Sequence, residues 1–168
     1  KGKSMNWDII CFDLDNTLIN YEQTFERTME HCFNLLASEK THTEEIPFTT
    51  WFPIFKKYCD LYWPAYSTKE MSRIEYQRAR YRSAMAELGT CSTDTQADRL
   101  QVLFNQYVAN FVVPFKGIDT LLENLKLRKK KLGIITNGKS EIQYKKLQKA
   151  GIITYFESIV ISDSVNVA

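Results

Sequence analysis

The sequence has few of the features that mark membrane, fibrous or nucleic-acid-binding proteins. It contains no apolar run approaching the roughly 20 residues of a membrane span, and it shows neither an internal repeat nor a low-complexity segment. Its 22 Lys and Arg nearly balance its 20 Asp and Glu, so its charge does not argue for a nucleic-acid partner. We therefore expect a partner that is neither a membrane nor a nucleic acid.

Cysteine is also scarce. The four cysteines are widely spaced and form no C-x-x-C pair. Because no secretory leader is recognisable either, the spacing predicts free thiols in a cytoplasmic protein. Cys11, inside a short apolar segment, is expected to be a small core residue. Residues 1–4, ahead of Met5, are interpreted as a cloning remnant and excluded from the fold.

The chain contains an alternation of strand-like and helix-like segments. Its 168 residues, of which 44% are hydrophobic, suffice for one domain with an insertion. Apolar runs predict strands at 7–12, 131–136 and 156–161, the first buried on both faces. Helical spacing predicts four helices within 21–111 and one before each later strand. Strands joined through helices pair in parallel, so we predict an α/β fold: a parallel-sheet core from 5–20 and 112–168 with an inserted helical bundle, 21–111.

Local patterns predict where several helices begin and end. Ser67 with Glu70, and Ser140 with Gln143, match the capping box of a helix N-terminus. Thr93 is a candidate cap for the fourth helix, and Gly89 a terminator of the third.

Two acids follow the first predicted strand. Asp13 and Asp15 are two residues apart, so in an extended segment they would point to the same side. Such a pair suits Mg²⁺, which prefers oxygen ligands, and it suits a reaction in which one acid attacks phosphorus while the other moves a proton. The alternative is a pair of ordinary turn or helix-capping acids, and the two residues alone do not decide between these interpretations.

A second polar stretch, Thr136-Asn137-Gly138, follows the second predicted strand. Ligands of parallel α/β sheets bind beyond the carboxyl ends of the strands, and both stretches are predicted to lie at that edge. Because a helix is expected to start near Ser140, backbone amides in this loop suit an anion.

The run Phe12-Asp13-Leu14-Asp15-Asn16-Thr17-Leu18 resembles the first motif, D-x-D-x-T, of the haloacid dehalogenase-like superfamily. Thr136, ending the apolar segment of Gly133-Ile134-Ile135-Thr136-Asn137-Gly138, resembles the second motif. The resemblance covers essentially the whole chain. It implies a partial Rossmann-like core with a helical cap inserted after the first motif.

The resemblance also implies roles for these residues. Asp13 would be the nucleophile that accepts the phosphoryl group, and Asp15 the general acid and later the base. Mg²⁺ would be held by the Asp13 carboxylate and the Asp15 backbone carbonyl. The Thr136 hydroxyl and the amides of Asn137 and Gly138 would bind the phosphoryl oxygens.

The second acid narrows the expected chemistry. Dehalogenase members of the superfamily lack an acid at the position of Asp15, so its presence favours oxygen leaving groups and a phosphate ester as substrate. The stretch 159–168 resembles a subgroup of bacterial pyrimidine 5′-nucleotidases, which implies a nucleoside monophosphate; a sugar phosphate is the alternative. A catalytically inactive binding or regulatory module on the same scaffold is a further alternative.

The sequence also departs from the superfamily pattern. The catalytic lysine and the later acidic motif that completes the Mg²⁺ site are missing, and no residue present was found to replace them; Lys139 and Lys145 are expected to face solvent. We therefore expect the chain to be part of a longer enzyme, truncated before the third motif, with little activity of its own.

Aromatic residues near or within the predicted cap are candidates for stacking on a nucleobase. We name Tyr21, Trp51, Phe52 and Trp63 for this role. Packing in a hydrophobic core is the alternative for each of them.

Overall fold

The structure, a computed structural model, describes residues 7–39 and 46–164. The interpretation of residues 1–4 and the last four residues of the stretch 159–168 lie outside this part of the chain. The strands are β1 (Ile9–Phe12), β2 (Lys131–Thr136) and β3 (Ser158–Ile161). The helices are α1 (Tyr21–Ser38), α2 (Phe48–Ser67), α3 (Arg73–Glu87), α4 (Asp94–Tyr107), α5 (Ile118–Leu127) and α6 (Ser140–Lys149).

The described chain forms two compact units. One contains the residues up to Phe25 and those from Val108 onward, and the other spans Glu26–Tyr107. The predicted insertion, 21–111, is slightly wider. The first turn of α1 belongs with the sheet unit because the Val113 amide donates to Thr24 Oγ1 at 3.1 Å, and the Asn20 amide donates to the Val113 carbonyl at 2.8 Å.

The sheet of the first unit is parallel, as predicted. Its order in the described part is β1-β2-β3, with Phe12 opposite Ile134 and Thr136 opposite Ile161. The α/β core with its inserted helices is therefore confirmed. The carboxyl ends of β1 and β2 are neighbours, which places the segments that follow them at the same edge.

One face of the sheet carries the hydrophobic core of this unit. Residues of the inner strand β2, of the loop after β1, of α5 and α6 and of the segment after α6 pack together, namely Leu14, Leu18, Ile19, Ile118, Leu122, Leu132, Ile134, Leu147 and Ile152. Burial of these side chains is the main favourable term for folding.

The opposite face of the sheet is exposed in the described part of the chain, so the prediction of a first strand buried on both sides is wrong. Ile9 is 63% exposed, Ile135 58% and Val160 38%, and Cys11 is exposed rather than a core residue. The physical reason is that α5 and α6 pack on the other face.

Gly133, opposite Cys11, has little room: a Cβ there would lie 3.2 Å from Cys11 Sγ and 3.5 Å from the Ser158 carbonyl oxygen.

The helical unit is centred on Trp51, which is fully buried. Its ring stacks on those of Phe33 and Phe55, with centroid distances of 4.4 Å in both cases. Cys32 and Tyr81 are fully buried in the same unit. These side chains explain the helical spacing of apolar residues, which reflects core packing.

One capping prediction in this unit is wrong. Ser67 is the last residue of α2 and donates to the Pro64 carbonyl at 2.8 Å. The capping box that opens α3 is formed by Ser72 and Glu75 instead. The pattern S-x-x-E occurs twice within nine residues, and the turn at Lys69, with φ of 63°, separates the two helices between the copies.

The other capping predictions for this unit agree with the structure. The Gln96 amide donates to Thr93 Oγ1 at 3.3 Å at the start of α4. Gly89 follows α3 with φ of 74°, a conformation that glycine adopts without steric cost. In the described residues, no helix combines the length and apolar character needed to cross a membrane.

The burial of Cys32 predicts a loss of stability at alkaline pH. Burial raises the pKa of its thiol from 9.0 to about 12. The folded state therefore keeps a proton that the unfolded chain releases, so this stabilisation is complete below about pH 9 and is lost as the pH rises toward 12. Urea unfolding should give a smaller free energy of unfolding at about pH 10.5 than at about pH 8. Cys32→Ala should reduce this difference, whereas Cys91→Ala should not. An equal change in the free energy of unfolding between the two pH values in Cys32→Ala and the wild type would contradict the prediction.

The four thiols should also differ in reactivity. Cys11 and Cys91 are exposed, whereas Cys32 and Cys59 are buried and burial raises the pKa of both thiols. Because the thiolate is the reactive form, Ellman's reagent should modify two thiols rapidly in the native protein and four in urea. Cys91→Ser should remove one rapid thiol; rapid modification of Cys32 in the folded protein would show that the helical unit is packed differently.

Candidate active site

The loop after β1 places Asp13 and Asp15 on either side of a buried anchor. Leu14 is fully buried, and its carbonyl accepts the amides of Leu18 and Ile19 at 3.0 Å each. Asn16 has φ of 59°, which turns the chain. The strand ends at Phe12, so the two acids lie in the loop that follows it.

Asp13 lies exposed at the end of β1. Its Oδ1 accepts the amide of Leu14 at 2.8 Å, which orients the carboxylate within its own loop. An exposed, oriented carboxylate is accessible to a substrate or a metal ion. This position agrees with the location expected for Asp13, directly after the first strand.

Thr136 is the last residue of β2, Asn137 and Gly138 follow in the loop, and α6 begins at Ser140 as predicted. Thr136 is 5% exposed, and Gly138 has φ of 121°, which disfavours any residue with a Cβ. The Ser140 amide donates to Asp163 Oδ2 at 3.3 Å, so a carboxylate from the segment after β3 lies at the start of α6.

The predicted capping box of Ser140 and Gln143 is wrong. Lys139 is the residue that precedes α6, and it makes no side-chain cap. The Gln143 side chain, which would complete a capping box, is 2% exposed and points into the site instead.

Gln143 connects the two loops. Its Nε2 donates to Thr136 Oγ1 at 2.9 Å, to the Asn137 carbonyl at 2.9 Å and to Asp15 Oδ2 at 3.2 Å. An amide nitrogen carries two hydrogens, so at least one of them is shared between acceptors. The residues predicted from the two sequence motifs, Asp15 and Thr136, therefore lie within hydrogen-bonding distance of one atom.

Lys146 is a site residue that the sequence analysis missed. Its Nζ donates to both Asp15 oxygens at 2.9 Å, its side chain is 5% exposed, and it lies 5.3 Å from the centre of the Tyr21 ring. The sequence carries a signal for it. Lys146 precedes the buried Leu147 and follows the buried Gln143 by one helical turn, and a lysine on the buried face of a helix needs a partner.

The lysines that the sequence analysis did consider lie elsewhere. Lys139 and Lys145 are both exposed, and Lys145 pairs with Glu141 on its own helix. Among the aromatic candidates, Tyr21 is half-buried beside Lys146. Trp51 is fully buried in the helical unit, which favours the core-packing alternative, and the half-buried Phe52 stacks on Phe48 with a centroid distance of 4.9 Å.

The donor set at the end of β1 fits Mg²⁺ in part. Carboxylate and carbonyl oxygens are the ligands that this ion prefers, and Asp13 offers an exposed carboxylate. Both oxygens of the Asp15 carboxylate are held by Lys146, which leaves its backbone carbonyl as the donor expected from Asp15. Within residues 7–39 and 46–164, no three Asp, Glu, His or Cys side chains come together as a metal-binding group.

The fold and the site together define a class. A parallel sheet with an inserted helical unit carries two acids after its first strand and a Thr-Asn-Gly loop after its second, at the same edge. This is the arrangement of a haloacid dehalogenase-like hydrolase. The family model of the haloacid dehalogenase-like hydrolases matches residues 7–168, and the chain belongs to this family.

Curated relatives include two nucleotidases. The chain is 29% identical over 164 residues to pyrimidine 5′-nucleotidase YjjG of Escherichia coli, covering 98% of this chain and 66% of the relative. It is 24% identical over 161 residues to pyrimidine 5′-nucleotidase PynA of Streptococcus pneumoniae, covering 96% and 64%. The chain thus spans just under two thirds of the length of these relatives.

A solved structure of the same fold is that of the HAD-hydrolase YfnB of Bacillus subtilis bound to magnesium. Its TM-score with this chain is 0.76 at 22% identity, and the match covers 96% of this chain and 66% of that one. At this identity the likeness establishes the fold alone.

Removing the Gln143 amide should destabilise the sheet unit. Gln143→Leu removes the donor of the buried Thr136 hydroxyl and the closer of two donors to the Asn137 carbonyl. The free energy of unfolding should therefore fall by about 1–3 kcal/mol. Urea denaturation measures this change, and Gln148→Leu, at an exposed position of the same helix, is the matched control. A similar small effect for both variants would show that Gln143 does not bridge the loops.

Proposed function

We propose that the full-length protein is a Mg²⁺-dependent phosphomonoester hydrolase that works through an aspartyl-phosphate. The observation that supports this most directly is the convergence of Asp15, Thr136 and Asn137 on the single amide of Gln143. An acid able to move a proton and a loop able to bind an anion then serve the same substrate, beside the exposed carboxylate of Asp13.

In the first step, a carboxylate oxygen of Asp13 attacks phosphorus. The bond between phosphorus and the ester oxygen breaks, and Asp15 gives its proton to the departing oxygen, so an alcohol leaves rather than an alkoxide. The presence of an acid at position 15 supports an ester oxygen rather than a halide as the leaving group.

In the second step, water attacks the phosphorus of the aspartyl-phosphate. Asp15, now a carboxylate, takes the proton from the water, and the bond between phosphorus and Asp13 breaks to release inorganic phosphate. The Thr136 hydroxyl and the amides of Asn137 and Gly138 bind the phosphoryl oxygens in both steps, since amides near the start of α6 favour an anion.

The proposal includes Mg²⁺ held by the Asp13 carboxylate and the Asp15 carbonyl. When bound, the ion neutralises negative charge on the phosphoryl group and on the carboxylate that attacks it. The donor chemistry described above supports this assignment, and the magnesium-bound relative of the same fold is consistent with it.

A nucleoside 5′-monophosphate is the proposed substrate. Two curated relatives are named pyrimidine 5′-nucleotidases, and Tyr21 provides an aromatic ring next to Lys146 at the site. A sugar phosphate is the alternative within the same chemistry. Release of phosphate from a panel of both substrate classes, compared by kcat/KM, distinguishes the two.

We also propose that the 168-residue chain by itself hydrolyses esters slowly. In the described residues, the ammonium that reaches the site is that of Lys146, and it is already paired with Asp15. Charge on the transferred phosphoryl group would then lack a cationic side chain, and stabilisation of that charge is a large part of catalysis.

Replacing the nucleophile should abolish phosphoryl transfer. Asp13→Asn in the full-length protein should lower kcat/KM for p-nitrophenyl phosphate by at least about 10³-fold, because the amide cannot form the phosphoenzyme. Asp8→Asn, which changes an exposed acid just before β1, is the control and should keep wild-type activity.

A second measurement tests the covalent step directly. Brief mixing with a radiolabelled phosphate ester followed by acid quenching should leave label on the wild type and on Asp8→Asn but not on Asp13→Asn. Activity that survives in Asp13→Asn would overturn the proposed nucleophile. A wild type that binds phosphate esters without hydrolysing them would instead support the binding-module alternative.

A further inference from the structure

We propose that Lys146 is a positioning residue that holds the carboxyl group of Asp15 in place for proton transfer to the leaving oxygen. This inference rests on the proposed function. It concerns a residue outside both sequence motifs and assigns a chemical task to the helix that follows the second one.

The geometry of the contact is specific. Lys146 Nζ lies 2.9 Å from each oxygen of Asp15, so the ammonium sits symmetrically between them. The Lys146 side chain is 5% exposed and that of Asp15 29%. Such a pair is poorly screened by water, so it holds the two side chains together more firmly than a surface ion pair would.

Neighbouring groups restrict both partners. The Tyr21 ring lies 5.3 Å from Lys146 Nζ, at a distance suited to a cation–π interaction. Gln143, one turn earlier on α6, donates to the Oδ2 of Asp15. A lysine and an amide from one helix therefore fix the orientation of the carboxylate relative to Thr136.

The consequence for the reaction follows from where the acid must point. Contacts from Lys146 and Gln143 fix the carboxyl group of Asp15, so it meets the leaving oxygen without first losing rotational freedom. No proton leaves Lys146 in this step. The benefit is greatest for an ester whose leaving group must be protonated, and it is small for one that departs as a stable anion.

The test compares two esters in the full-length protein. Benzyl phosphate releases an alkoxide-type leaving group that needs a proton, whereas p-nitrophenyl phosphate releases a stable phenolate. Lys146→Met removes the charge while keeping a long unbranched side chain. We expect kcat/KM to fall about 30-fold or more for benzyl phosphate and less than about 3-fold for p-nitrophenyl phosphate. We compare kcat/KM because this constant reports only on the steps up to departure of the leaving group.

A control variant and the pattern of the two kcat/KM values separate the positioning role of Lys146 from a structural one. Lys145→Met, at the adjacent exposed position, should leave both values unchanged. A purely structural contribution of Lys146 would lower kcat/KM for both esters by the same factor. That result would overturn the proposal, as would unchanged kcat/KM values for both esters.

A spectroscopic readout does not depend on activity. Proton–nitrogen spectra of lysine ammonium groups should show one slowly exchanging signal that disappears in Lys146→Met and persists in Lys145→Met. Its broadening in Asp15→Asn would confirm the pairing; its absence from the wild type would overturn this inference. A wild type with the signal but no hydrolysis of either ester would overturn the proposed function, and with it the role in proton transfer, while leaving the pairing established.

Discussion

The parallel pairing of β1 with β2 is the constraint on which the site depends. Because Phe12 lies opposite Ile134, the loop that carries Asp13 and Asp15 and the loop that carries Thr136 leave the sheet at the same edge. Gln143 then connects these loops through atoms that are 2.9–3.2 Å from its amide nitrogen. If the strands paired differently, the two motifs would have no common substrate to act on.

Much of the fold could be predicted because the signals are local. The β2 segment 131–136 is apolar between Lys131 and Thr136, and its bounds agree with the structure. The start of α4 follows from Thr93, whose Oγ1 accepts the amide of Gln96. The parallel pairing of the strands also follows from the helices that connect them. These features depend on residues that are close in sequence or on the general handedness and direction of βαβ connections.

Two of the wrong or missing predictions concern side chains whose hydrogen-bond partners are distant in sequence. Gln143 matches a capping box, yet the partly buried Asp15 and the buried Thr136 both accept its side-chain amide. Lys146 lies among the exposed lysines of α6, and its partner Asp15 stands 131 positions earlier in the chain. Burial of β1 was overestimated because an apolar strand does not indicate whether one or two layers of helices cover it.

Because the space at Gly133 is narrow, the substitutions tolerated at positions 11 and 133 of two neighbouring strands depend on each other. A methyl group there would press on the sulfur of Cys11 and approach the Ser158 carbonyl. A mutation to alanine at position 133 is therefore tolerated more readily after position 11 has become smaller, and a bulkier residue at 11 makes the glycine harder to replace. Among descendants of this sequence, the two positions should covary, with the order of substitution mattering more than either change alone.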